Sequence, residues 1–227
     1  MAHQQQSDFI AIVREHLPEH FVGRRVLEVG SLDINGSVRS HFDDCKYTGA
    51  DLELGPGVDI ACPGQLLEFP SGHFDVAISC ECFEHNPYWV ETFINMLRMT
   101  SPSGIVVMSC ATTRRREHGT ARTNADASPF TSGRGWTYYR NLTERDVRER
   151  IPLANWLEDW LCMASPEGYD LYFVGRRTGK LPQALRDAMK KRFSPWRSFK
   201  MIRRRVKMAV LGDAFSSPLR EIVKGRR

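Results

Sequence analysis

Two carboxylates and a pair of glycines stand at spacings that suit a nucleotide. Glu28 lies two residues before Gly30 in the stretch VLEVG, and Ser31 carries the chain on toward a second glycine, Gly36. A tight turn directly after a strand lets the backbone approach a ligand closely, and glycine supplies the room. Asp51 closes the stretch YTGAD, 21 residues after Gly30. An acid at that place accepts hydrogen bonds from both hydroxyls of a ribose. The plainer alternatives are an ordinary α/β turn and a solvated Asp at a strand end. Dinucleotide enzymes share both features, so they do not choose the ligand. Three details do: the turn lacks the G-x-G-x-x-G spacing that suits a pyrophosphate, Glu28 would repel a pyrophosphate while tolerating a cationic amino acid, and the chain closes with an antiparallel hairpin. Cys80, Cys82 and His85 invite a zinc reading, but C-x-C is tighter than zinc spacings and no fourth ligand follows. No metal site is expected.

The elements that must position these groups read as alternating strands and helices. Phe9, Ile10, Val13 and Leu17 recur at helical spacing, with Ser7 as the expected N-cap. Strands are expected at 25–29, 46–52, 58–61, 74–79 and 105–109, the last after a turn at 101–104. Residues 37–42 are expected to be helical, as are 88–100, with Trp89, Phe93, Met96 and Leu97 on the apolar side, Asn86 as cap and Pro87 in the first turn. Residues 112–141, rich in Thr, Arg, Gly, Ser and Asn, form a long loop of the kind that is usually functional or disordered. Thr143 caps a short helix. Strands at 156–163 and 170–174, joined by Ser165–Gly168, form an antiparallel hairpin. The expected fold is a doubly wound, mostly parallel, seven-stranded α/β sheet ending in that hairpin. One domain spans 1–177, and a basic helical extension spans 178–227.

In motif order the chain resembles the class I, Rossmann-like, S-adenosylmethionine-dependent methyltransferases. VLEVGSLDINGSVR is similar to their first motif, with Asp-x-Asn-Gly in place of a tighter glycine pattern. YTGADLELGPGVDI resembles the segment after their second strand. FDVAISCECFEH resembles the fourth strand and the Glu-His pair after it, and SPSG before IVVMS resembles the turn before the fifth. The resemblance covers about residues 22–112, and 153–177 by topology alone. It implies S-adenosylmethionine as cofactor. Glu28, Gly30, Ser31 and Gly36 would hold the methionine portion, and Asp51 the ribose. Leu52 would lie on the adenine, and Cys80 and Glu81 near the methyl group. Where many relatives bind the adenine amino group with an acid, this chain has Cys62-Pro63-Gly64-Gln65. Gln65 or backbone is expected to serve instead.

A sulfonium is already electrophilic, so the protein's task is to align a nucleophile with the methyl group. An alcohol also needs a proton acceptor, and histidine suits neutral pH. His85 and His118 are the candidates. Against them stand a backbone-bonded histidine at a helix start and an exposed loop residue. Trp136, Tyr138, Tyr139 and Arg140, at the far end of the same loop, suit stacking on a sugar or clamping an acid. Deleting 113–135 is expected to abolish transfer and spare cofactor binding. The expected acceptor is a small molecule or glycan, methylated on oxygen. An inactive cofactor-binding adaptor and an RNA methyltransferase are the alternatives.

The net charge of +5 is unevenly spread. Residues 178–227 hold 15 basic and 3 acidic side chains, a net of +12, which leaves the first 177 residues at −7. An acidic body disfavours nucleic acid in the cleft. In the tail, Trp196, Phe199, Ile202, Val206 and Val210 recur at helical spacing against Arg197, Lys200, Arg203, Arg204, Arg205 and Lys207. Residues 196–211 thus fit an anionic membrane surface, RNA phosphates or simple docking on the domain. No apolar run nears the roughly 18 residues of a membrane span, and Met1–Gln6 lacks the marks of a signal peptide. A cytoplasmic, at most peripherally membrane-bound, protein with six reduced cysteines is expected.

Overall fold

Short apolar stretches bounded by glycine and polar turns pair into one sheet. The computed structural model describes residues 4–193. Its strands are β1 (Arg25–Val29), β2 (Lys46–Asp51), β3 (Ile60–Ala61), β4 (Phe74–Cys80), β5 (Thr100–Ala111), β6 (Asp159–Ala164) and β7 (Asp170–Arg176). They lie in the order β3-β2-β1-β4-β5-β7-β6. β1 to β5 are parallel, and β7 pairs antiparallel with both β5 and β6. The expected fold class holds. The chain winds from β1 outward to β3, then returns to the other side of β1 for β4. The loops diverge at that reversal and leave a crevice at the carboxyl ends of β1, β2 and β4.

Among the described residues five α-helices accompany the sheet: α1 (Gln4–His16), α2 (Trp89–Met99), α3 (Pro129–Gly133), α4 (Glu144–Arg150) and α5 (Gln183–Arg192). Alternation along β1 splits its side chains between two cores. Val26 joins Phe9, Ile10 and Val13 of α1 and Leu185 and Met189 of α5. Leu27 and Val29 join Phe93, Met96 and Leu97 of α2 and Val147 of α4. Each such fully buried side chain contributes about 1.5–3 kcal/mol, so both layers hold the strand ends in place. α5, expected in the extension, packs into the body, with the Phe193 and Tyr172 rings 4.4 Å apart and Arg192 paired to Asp8. The second tail segment, 196–211, lies outside the described residues.

Local departures from expectation have physical causes. α1 starts at Gln4, so Ser7 is inside it and not its cap; the inward-facing Gln6 and Phe9 extend the packed face upstream. Residues 37–42 form only a 3₁₀ turn, Val38–His41, capped by the Ser37 hydroxyl. Ser101–Gly104 is absorbed into β5 as a bulge, where register passes from Phe74 opposite Thr100 to Val76 opposite Ile105. Asn86 does not cap α2. Its Oδ1 accepts from the Tyr88 amide and its Nδ2 donates to Thr92, which delays the helix to Trp89. β6 begins at Asp159 because a turn at Leu153–Asn155 first drives Leu153 and Leu157 into the core. Thr143 caps α4 as expected, in a reciprocal box with Asp146. All six cysteines are free. No described helix is long and apolar enough to cross a membrane.

Candidate active site

The turn after β1 is held open by one glycine. Gly30 has φ +80°, and a Cβ there would stand 2.5 Å from Cys82 Cβ. No side chain fits, so the turn can press against the segment that follows β4. Two residues earlier, Glu28 points to the α1 side of the sheet and is 5% exposed. Tyr47 from β2 donates its hydroxyl to Glu28 Oε2 at 2.8 Å. Burial outweighs that bond and pushes the Glu28 carboxyl up to about 7. A buried carboxylate held at the edge of ionisation calls for a cation.

Asp51 ends β2 on the other side of the turn. Its two oxygens accept from the amides of Leu32 (3.0 Å) and Leu52 (2.7 Å), which fixes the carboxyl plane and leaves a free lone pair on each oxygen. Burial raises its pKa above the ordinary Asp value. The Ser31 hydroxyl, 2% exposed as a residue, has no hydrogen-bond partner among the described residues. Gly36 closes the turn by donating its amide to Asp33. Gln65 Oε1 accepts from Thr92 Oγ1 at 3.2 Å, so its amide nitrogen is the freer end.

These residues surround one cavity of about 940 Å³, open mouth included. All nine expected cofactor contacts line it: Glu28, Gly30, Ser31, Gly36, Asp51, Leu52, Gln65, Cys80 and Glu81. Sequence reasoning missed Gln6 of α1 and the cover, Ala127–Thr131; Trp136, expected to stack on an acceptor, lines the same cavity. The 112–141 segment is not structureless. It carries α3, and Arg134 donates to the Leu52 carbonyl at 2.8 Å. Loop residues thus line the cavity beside Asp51 and Leu52.

At the end of β4 the backbone kinks at Glu81, whose φ is +54°. Ser109 donates to Glu81 Oε1 at 3.1 Å, and Arg115 lies 3.8 Å from Glu81 and 3.4 Å from Asp170. Burial pushes the Cys80 thiol up to about 12, so it stays neutral. A short 3₁₀ turn, Phe83–His85, then buries Glu84 and His85. His118 meets His85 there, edge to face, with ring centroids 5.1 Å apart. The Tyr139 ring is 5.3 Å from His85 and 5.2 Å from His118. Its hydroxyl donates to the Arg116 carbonyl at 3.1 Å and lies 3.2 Å from His118 Nδ1. Gly119 permits this contact: it has φ +63°, and a Cβ there would stand 2.6 Å from His85 Cε1. Burial, then His118, lowers the His85 pKa to about 3, so that imidazole is neutral at any physiological pH. His85 lines the cavity, and His118 stands behind it.

A family model described as a methyltransferase domain matches residues 1–172. The chain belongs to this methyltransferase family. The resemblance to class I, S-adenosylmethionine-dependent methyltransferases read from motif order is thereby borne out, and solved structures agree with it in fold. The methyltransferase is similar to a Burkholderia thailandensis 1,6-didemethyltoxoflavin-N1-methyltransferase with bound S-adenosylhomocysteine, at 18% identity and TM-score 0.51 over 76% of this chain and 79% of that one. It is also similar to a Haemonchus contortus phosphoethanolamine N-methyltransferase in complex with S-adenosylhomocysteine, at 15% identity and TM-score 0.54 over 78% of this chain and 53% of that one. A third is the CurJ carbon methyltransferase, at 16% identity and TM-score 0.53, over 77% and 55%. The methyltransferase thus spans about half the length of the latter two. At these identities the likeness is one of fold. The three act on nitrogen or carbon by their names, so they do not single out an acceptor atom. No curated protein matches the chain in sequence.

Proposed function

We propose that the methyltransferase moves the methyl group of S-adenosylmethionine to an oxygen of a small molecule or glycan. The cavity's donors and acceptors fit the donor molecule. Glu28 answers its ammonium group, Ser31 is an unsatisfied hydroxyl beside it, and the free lone pairs of Asp51 answer two ribose hydroxyls. When bound, the cofactor supplies an electrophilic methyl group. The chain's residues orient it between β2 and β4 and exclude water beneath the 127–131 cover.

The observation that carries the oxygen reading is the meeting of His85, His118 and Tyr139 beside the Glu81 kink. Alcohols, unlike neutral amines, need activation before attack, and a neutral imidazole nitrogen answers that need. His118 and Tyr139 both come from the loop, so the acceptor's hydroxyl is activated where loop and β4 meet. Purified protein, labelled S-adenosylmethionine and fractions of small molecules and glycans from extract provide the test. Transfer to a hydroxyl compound, lost by at least about a hundredfold in His85→Ala/His118→Ala with S-adenosylhomocysteine binding retained, supports the reading. Product labelled only on nitrogen or carbon overturns it. Cofactor binding with no turnover on any fraction would favour the adaptor.

A further inference from the structure

We propose that Glu84, His85 and His118 form a mononuclear site for a divalent transition-metal ion at the β4 end of the cavity. One ligand atom from each of the three lies within 4.8 Å of the others. Two come from the 3₁₀ turn after β4 and the third from the loop, 33 residues later. This departs from the expectation of no metal, which weighed Cys80 and Cys82 as partners of His85. The structure brings different partners to it.

Glu84 is the main reason. It is fully buried, and neither carboxyl oxygen has a hydrogen-bond partner among the described residues. Its own amide and that of Ala111 lie near enough to ease its charge without completing a hydrogen bond. His85, 4% exposed, likewise leaves Nδ1 without a partner among the described residues. A buried carboxyl and a buried imidazole nitrogen left open toward one point are expensive unless paired or coordinated. Neighbouring Glu81 and Asp170 both lie within 4 Å of Arg115.

His118 is prepared for ligation. Its Nδ1 lies 3.1 Å from the Arg116 carbonyl and 3.2 Å from the Tyr139 hydroxyl. A proton on Nδ1, donated to that carbonyl, orients the ring in the way outer groups orient metal-bound histidines. Ligand atoms around a tetrahedral zinc stand roughly 3.4 Å apart, so binding would draw the three ligand atoms closer together. Two imidazoles and one carboxylate suit Zn²⁺, Fe²⁺, Co²⁺ or Mn²⁺ better than Mg²⁺ or Ca²⁺, which favour all-oxygen shells. Three protein ligands leave a position open toward the cavity. Under the oxygen-transfer reading, on which only the ion's use rests, an acceptor hydroxyl would occupy that position and lose its proton more readily.

The test is metal binding by the full-length protein, stripped with chelator and dialysed, followed by calorimetry with Zn²⁺ and visible absorption with Co²⁺. One ion per chain, with the intense visible bands of low-symmetry Co²⁺ and no competition from excess Mg²⁺, is expected. Glu84→Gln and His118→Ala are each expected to weaken it at least about tenfold, and Tyr139→Phe by a smaller factor. His118→Ala lies on the loop and guards against loss of folding in the buried Glu84 variant; S-adenosylhomocysteine binding reports the fold of each. No stoichiometric Zn²⁺ or Co²⁺ binding, or binding unchanged in both variants, overturns the site. Cofactor binding and oxygen transfer by metal-free protein would refute the ion's role and leave the proposed function standing. A bound ion with transfer only to nitrogen or carbon would do the reverse.

Discussion

Replacing Glu28 with Gln should make the ligand-free protein more stable and its cofactor binding weaker. The side chain is nearly isosteric, and its amide oxygen still accepts from Tyr47 Oη, now 2.8 Å from Glu28 Oε2. What disappears is the buried charge. A carboxyl that titrates near 4.5 in the unfolded chain and at about 7 in the folded one corresponds to roughly 3 kcal/mol when fully expressed. Because the folded pKa is the higher, the folded chain holds the proton more tightly. Wild-type protein therefore loses stability as pH rises from about 4.5 to about 7, and the Gln variant is spared that loss. Allowing for relaxation, the variant gains about 1.5–3 kcal/mol at pH 8, or about 5–9 °C in Tm for a domain of this size. The gain shrinks toward pH 5. With saturating S-adenosylhomocysteine the variant's advantage is largely offset, because a charged hydrogen bond to the ligand's ammonium is worth about 2–3 kcal/mol, or roughly 30- to 150-fold in Kd. Thermal unfolding at pH 5 and pH 8, with and without ligand, measures both effects. A variant with wild-type Tm at pH 8 and wild-type affinity would refute the argument that Glu28 is a strained anion waiting for a cation.

Wild-type cofactor affinity should fall as pH drops below about 7, by up to tenfold per unit, as Glu28 takes up its proton; calorimetry across pH 5.5–8 tests this, and Glu28→Gln should flatten the dependence. Asp51→Ala removes both ribose acceptors and strands the Leu32 and Leu52 amides, so affinity should fall at least about tenfold, with a loss of about 1–3 kcal/mol in stability. Gly119→Ala adds a Cβ 2.6 Å from His85 Cε1 and should push the loop off His85. Turnover is expected to fall more than tenfold while S-adenosylhomocysteine Kd changes less than about threefold. Deleting 113–135 removes the Phe130 and Arg134 cover along with His118, and should cost cofactor affinity as well as transfer, measured by the same calorimetry.

The donor side of the site was legible because its logic is local. Glu28, Gly30 and Asp51 sit at strand ends, where a few residues decide direction, and the parallel order of β1, β2 and β4 carries all three to one crevice. Strand positions followed from apolar runs, except where tertiary demands intervened, as in the β5 bulge and the delayed start of α2. The acceptor side was legible only as a list of types. His85 and His118 are 33 residues apart and joined by a segment with no periodic signal. Nothing local states that Gly119 lets the two rings touch or that Tyr139 completes the group. Glu84 appeared only as half of a Glu-His pair, because burial without a partner is a property of the packed chain. The loop's cover over Leu52 rests on a contact spanning 82 residues between Arg134 and a backbone carbonyl, which no sequence pattern marks.

Isothermal titration of the purified protein with S-adenosylhomocysteine at pH 8, with NAD in a parallel cell, bears most directly on the site. One molecule per chain at micromolar Kd or tighter, weakened in both Glu28→Gln and Asp51→Ala, with NAD giving no comparable heat, is the expected result. Absence of binding by folded protein, or tighter binding of NAD, would contradict it.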